Sequence, residues 1–226
     1  MGRHGARLVF ALTALLAFTG NALSLYLGSQ RGSEVPYGAG FSGGFAGGWE
    51  HLLNQPTYFT FLSNFLVGLT SLLLAIRPHR MSGLFHALRI AAVACIVITG
   101  VVFNLLLRSG PMATPIDLAS DTIQHIITPV LTPVAWLLLD PRGHVTWKRI
   151  LLAAIIPLGW LAFTLARGPV IDWYPYTILD VPRLGYAGVA VNMGAVLVLY
   201  LAIATLMWLI DRSRLRWSTA VSRLAP

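Results

Sequence analysis

The chain has 226 residues, 56% of them hydrophobic and only 11% charged. A soluble domain of this size carries about 25% charged residues, which excludes an ordinary water-soluble enzyme. The net charge of +8 would suggest nucleic acid in a soluble protein, but the basic residues are spread over short loops and tails, so that partner is excluded too.

Apolar runs of about 20 residues predict membrane-spanning helices. Six are expected: Arg7–Gly28, Tyr58–Ile76, Leu84–Leu107, Thr122–Leu139, Ile150–Ala166 and Leu184–Ile210. They form one all-α bundle over residues 1–226, with almost nothing left for a soluble domain. The first follows Arg3 and Arg7 like a signal peptide. Its run is longer than a usual signal core and lacks a small-x-small cleavage site, so an uncleaved helix is expected. Asn21 and Ser24 lie in its second half. The long loop Ser29–Pro56 contains "GAGFSGGFAGG". A phosphate loop would join a strand to a helix and end in Lys-Ser/Thr; this stretch does neither, and a flexible loop is expected. "GWEHLLNQP" predicts a short interfacial helix with Trp49 at headgroup level.

The second span starts with "TYFTFLSN", placing Thr60 about one turn in and Asn64 about two. In the third, Cys95 is the one cysteine, which leaves no intrachain disulfide or thiolate metal site and predicts a packing residue. Asn104 lies one turn from the end of that span, below Arg108. In the fourth, Asp121, Gln124, His125 and Thr128 fall at i, i+3, i+4 and i+7, a single stripe, and Pro129 and Pro133 bend the helix. Between the fifth and sixth comes "WYPYTILD"; Asn192 is two to three turns into the sixth. No internal repeat occurs.

With both termini cytosolic, twelve of the 16 Lys and Arg residues are internal: Arg3, Arg7, Arg77, Arg80, Arg89, Arg142, Lys148, Arg149, Arg212, Arg214, Arg216 and Arg223. Only Arg31, Arg108, Arg167 and Arg183 are external. Glu34, Glu50, Asp117, Asp121, Asp172 and Asp180 are external; Asp140 and Asp211 are internal. This is the positive-inside pattern. It predicts a multi-pass protein whose polar residues gather in the extracytosolic leaflet, since the inner halves offer little beyond Thr13, Thr70, Ser71 and Thr132.

Embedded polar groups face the bundle interior. Any one Asn is adequately explained as interhelical glue, but glue has no reason to collect in one leaflet, whereas an outward-opening pocket does. His125 is suited to proton transfer near neutral pH. Thr60, at similar depth, is a nucleophile only if a base takes its proton. One embedded His without embedded carboxylates gives too few ligands for a metal, and no cofactor is implied.

At these residues the chain resembles the six-helix androgen-induced and androgen-dependent membrane proteins, threonine hydrolases of fatty-acid esters of hydroxy fatty acids, and their bacterial relatives. "YFTFLSN", "QHIITPVLTPVAWLLLD" and "WYPYTILD" carry the resemblance. It implies a nucleophilic role for Thr60 and a catalytic one for His125, in a bacterial cytoplasmic membrane. Asp121 and Thr122 stand where the eukaryotic branch tends to have Asn-His.

The expected function is hydrolysis of a lipid-like ester of the fatty-acyl class, drawn from the bilayer. Asn64, Asn104 and Asn192 are candidates to orient the ester or its oxyanion. Asp121 is a candidate to hold the imidazole from near the headgroups, where water could replace it. Gln124 shares its stripe, and Tyr174, Tyr176 and Asp180 are candidates for a lid. The pocket is expected between spans two, three, four and six. The rivals are a non-catalytic lipid-binding protein and a small-molecule transporter. Transport sites usually lie at the midplane among broken helices and repeats, and neither a repeat nor a polar path through the inner half is present.

Overall fold

Backbone groups in lipid must bond within their own segment, and in the computed structural model every predicted span is a helix. The structure describes residues 3–33, 35–78, 82–108 and 114–224, and among them no strand occurs. The helices are α1 (Arg3–Gln30), α2 (Trp49–Asn54), α3 (Phe59–Ile76), α4 (Gly83–Leu107), α5 (Pro115–Leu139), α6 (Trp147–Ile171) and α7 (Val181–Leu224). All except α2 are long and apolar enough to cross a membrane. The expected short helix is α2, with Trp49 exposed.

Several helices run past their expected ends, α6 over Trp147–Ile171 and α7 to Leu224, and two starts shift for local reasons. α5 begins at Pro115 rather than Thr122 because Thr114 and Asp117 form a capping box, the Thr114 hydroxyl accepting from Asp117 N–H at 3.2 Å and Asp117 accepting from Thr114 N–H at 3.1 Å. Reciprocal capping of this kind starts a helix firmly. α7 begins at Val181 and kinks at Gly185, whose φ of 64° suits glycine.

α4 is the axis. Ala91, Ala92, Ala94, Cys95 and Ile96 are fully buried, with α3, α5, α6 and α7 packed around. α1 lies antiparallel against α3, with Arg7 donating to Ala75 O at one end and Asn21 to Phe61 O at the other. α6 and α7 both lean on α4 and scarcely on each other. They meet at one end, where Tyr200 OH donates to Ile150 O at 2.9 Å and Trp147 lies 5.8 Å from Trp208. That end, with the α3–α4 and α5–α6 connections, is the turn end. The opposite one is the loop end.

At the loop end the glycine-rich segment is not a flexible loop but a folded cover. Phe41 packs on Tyr174 and Phe45 on Trp173, with ring centroids 5.9 and 5.1 Å apart. Gly43 N–H donates to Asp172 O (2.8 Å), Ser42 N–H and Oγ–H to the Asp172 carboxylate (3.0 and 2.6 Å), and Gly40 N–H to Asp180 (2.7 Å). A Cβ at Gly43 would lie 2.3 Å from Asp172 O. Glycine is thus present for close backbone approach, a use that composition alone does not distinguish from flexibility.

The turn end holds a polar cluster where the sequence offered only scattered hydroxyls. Arg89, counted above as an internal surface charge, is buried. It forms a bidentate pair with Asp140 (2.8 and 3.1 Å) and donates to Thr70 and Ser71 (3.3 and 3.1 Å). The fork fixes α3, α4 and the end of α5 to one another. Glu34 and Arg80, and the side chains of Arg3, Arg214, Arg216 and Arg223, lie outside the described residues.

Two measurements follow. Arg89→Met alone leaves a buried carboxylate unpaired and should destabilise by about 3–5 kcal/mol, whereas Arg89→Met with Asp140→Leu should recover most of the loss; thermal melts of the two variants decide it. For the cover, hydrogen bonds from Ser42 hold the Asp172 carboxyl below the usual carboxylate range. A depressed folded value means the anchor is fully present above about pH 4 and is lost as pH falls through that lower value. Amide exchange at Ser42 and Gly43, corrected for intrinsic rate, should accelerate on acidification, and should already be fast at neutral pH in Asp172→Asn.

Candidate active site

The first N–H groups of a helix have no partner within it. α3 starts after an extended Tyr58 with no side-chain cap. The Thr60 N–H donates to Tyr176 OH at 3.2 Å. Tyr176 comes from the α6–α7 connection, which Asn192 braces by donating to Ile178 O at 3.0 Å. Trp160 Nε1 donates to Thr57 O at 2.8 Å and fixes the start of α3 from α6.

Two π turns face each other nearby, Phe103–Leu107 in α4 and Ile123–Ile127 in α5. Pro129 has no N–H for the turn before it. Asn104 Nδ2 supplies a donor in its place, at 2.8 Å from His125 O and 2.8 Å from Gly100 O. Thr128 Oγ1 donates to Asn64 Oδ1 at 2.7 Å and lies 2.9 Å from Ile123 O. The π turns rotate His125 against Phe103, with ring centroids 3.5 Å apart and planes within 6°. Such single π turns recur at functional sites.

These elements bring together a chain of four groups. Thr60 Oγ1 is 3.3 Å from His125 Nε2, and His125 Nδ1 is 2.9 Å from Asp121 Oδ1. Asp121 Oδ2 forms an ion pair with Arg108 at 2.8 Å. The Asp121 side chain is 6% exposed and that of His125 12%. Asp121 is therefore closed off from the water that was expected to be able to replace it. The earlier start of α5 continues the helix over it, and Arg108 closes it off. Tyr176 OH lies 3.4 Å from Thr60 Oγ1. Burial pushes the Tyr176 phenol up, and hydrogen bonds from Thr60 offset this only in part, so the hydroxyl keeps its proton.

Thr60 and Tyr176 open onto a cavity of ≈ 840 Å³, its mouth included. α3, α4, α6 and α7 line it, so α6 stands where α5 was expected. The reason is the gap between α6 and α7, which sequence periodicity does not report. The walls are apolar, Val102, Leu161, Met193 and Val196 among them. Of the polar lining residues, Thr99 donates to Ser63 and Tyr200 to Ile150 O, which leaves Thr60 and Tyr176 as the polar groups at one end.

The other sequence candidates lie elsewhere. Asn64 is buried, donating to Thr60 O and accepting from Thr128. Asn104 and Asn192 serve backbone carbonyls as above. Each holds the site's backbone without lining the cavity. Gln124 faces α1, with Nε2 donating to Ser120 and its side chain against Gly20. Tyr174 packs under the cover, and Asp180 accepts from Gly40 and Arg183 N–H at the start of α7. What sequence reasoning missed is Arg108 as partner of Asp121, and Phe103 as the surface on which His125 stacks. Spacing could have offered Arg108, one turn beyond Asn104. Nothing in the sequence marks Phe103. Among the described residues, no three His, Cys, Asp or Glu side chains converge as a metal site would need.

Comparison with protein families, with curated proteins and with solved structures gives no match.

The close fit of α4 to α5 can be tested at Gly100. A Cβ there would lie 2.6 Å from Pro129 Cβ, a rigid ring. Ala gains about 1 kcal/mol in helix propensity, yet overpacking costs about 1–3 kcal/mol. Gly100→Ala should therefore lower the melting temperature, and a rise would show that the contact is slack.

Proposed function

We propose that the protein is an intramembrane hydrolase of lipid-like esters, with Thr60 as nucleophile and His125 as general base and then acid. The observation that carries this reading is the chain Thr60–His125–Asp121, at 3.3 and 2.9 Å, opening on an apolar cavity. Hydroxyl, imidazole and carboxylate in that order are the parts of a nucleophilic hydrolase. The resemblance of three stretches to the androgen-induced threonine hydrolases points the same way.

In this reading His125 Nε2 takes the Thr60 proton as Oγ1 attacks the ester carbonyl. Asp121 accepts from Nδ1–H, which leaves Nε2 free as base and stabilises the imidazolium that forms. The oxyanion collects at the amino end of α3, where the helix dipole favours negative charge and the Tyr176 hydroxyl donates. The alcohol leaves with the proton from Nε2. Water, deprotonated by the same nitrogen, then attacks the acyl-threonine, and Thr60 regains its proton as the acid departs.

The orientation belongs to the same proposal: a bacterial cytoplasmic membrane, both termini cytosolic, the loop end extracytosolic. Charge supports it. At the loop end Arg31 pairs with Asp117 and Arg108 with Asp121, while Arg167 lies among Phe45, Phe163 and Trp173. Removing Arg89, paired with Asp140, still leaves the excess of basic residues at the turn end.

An alkyl fluorophosphonate should label the protein, and Thr60→Ala should abolish both labelling and ester hydrolysis. His125→Gln should lower hydrolysis by about 10²–10⁴-fold and Tyr176→Phe by about 10²-fold, with melting temperatures near that of the parent. Turnover of a lipid ester by purified His125→Gln at the parent rate would remove the catalytic reading and leave a lipid-binding pocket.

A further inference from the structure

We infer that the cavity takes one unbranched, unsubstituted acyl chain of about eight to ten carbons, and that Tyr200 is the floor that sets this length. The inference rests on the hydrolase reading only for the position of the carbonyl, at Thr60.

The cavity runs along the helices. On α6 its lining extends from Leu161 to Ala154, and on α7 from Met193 to Tyr200. Each is seven steps of 1.5 Å, a depth of about 10 Å. Carbon–carbon bonds of about 1.5 Å advance an extended chain by roughly 1.3 Å each, which gives about eight carbons, and slight bending allows about ten.

The floor is firm for a stated reason. Tyr200 is buried and its hydroxyl donates to Ile150 O at 2.9 Å. In an apolar surrounding no water replaces that bond, so swinging the ring aside leaves its hydroxyl unmatched. The lining stops at Ala154 and Tyr200, and Ala153, Ala204 and Met207, further toward the turn end along α6 and α7, are buried in one cluster with Tyr200. Between Thr60 and Tyr200 no hydroxyl donor faces the chain unspent, because the Thr99 hydroxyl donates to Ser63. A carboxylate on that part of the chain would find no donor, and a hydroxyl would find at most a lone pair on Thr99, which favours a plain hydrocarbon. A chain longer than the cavity must turn out through the mouth between α6 and α7.

The test uses the full chain in lipid nanodiscs, with saturated fatty acids of six to sixteen carbons added at equal mole fraction and occupancy read by native mass spectrometry. Occupancy should peak at about eight to ten carbons and fall roughly fivefold by sixteen. Tyr200→Ala should move the peak up by roughly three carbons, about the reach of the lost ring. Tyr200→Phe, which keeps the ring but removes its anchor, should leave the peak in place while softening the fall toward sixteen carbons, and Ala154→Phe, which fills the shaft from α6, should move it down. Should Tyr200→Ala fail to fold, Ala154→Phe carries the test by itself. Occupancy that keeps rising to sixteen carbons, a peak unmoved by both size-changing variants, or no bound fatty acid would overturn the inference. Occupancy needs no turnover, so a chain-length peak without hydrolysis of any ester sinks the hydrolase reading alone. Hydrolysis with no such peak sinks this inference alone.

Discussion

A carbonyl deprived of its donor inside a membrane has to find another, and the candidate site depends on how one such debt is met. Pro129 gives no N–H to the turn that carries His125. Asn104 reaches across from α4 to bond the His125 carbonyl, and also that of Gly100. This ties a π turn in one helix to a π turn in the next and lays the imidazole flat on Phe103. A regular α-helix through residues 123–127 would turn His125 to another azimuth, away from α3. The orientation of the ring is thus a consequence of backbone bookkeeping rather than of any side chain that touches Nε2.

Polar groups divide into two working sets. At the turn end, Arg89 and Asp140 neutralise each other while two hydroxyls take the remaining donors, so the cluster locks three helices and exposes little charge. At the loop end, Asp121 is also matched, but asymmetrically, with Arg108 on one oxygen and His125 on the other. The first arrangement is closed. The second leads through the imidazole to Thr60 and the cavity. Equal burial therefore serves opposite ends, and partner geometry tells them apart.

Much of this was legible in the sequence, for reasons that can be named. The spans follow from hydropathy, since lipid admits no other backbone solution over such runs. The stripe Asp121, Gln124, His125, Thr128 follows from helical periodicity, and similar depth on two helices that enter from the same side makes Thr60 and His125 a candidate pair. Depth could not give azimuth. Asn64 and Asn192 share the site's depth but are spent on Thr60 O, Thr128 and Ile178 O, and Gln124 turns toward α1. Arg89 was misread because a basic residue near a helix start resembles a surface charge until Asp140, 51 residues on, is folded against it. The glycine-rich cover was misread because close approach and looseness have the same composition.

The gap between α6 and α7 has a consequence of its own. These helices touch at the turn end and part toward the loop end, so the cavity has protein on three sides. In a bilayer the acyl chains would supply the remaining wall. A detergent micelle, a thin membrane and a sterol-rich one would each supply a different fourth wall, with its own order and chain length. The cavity would in that sense be a composite of polypeptide and solvent, with part of its shape set by what the protein is dissolved in.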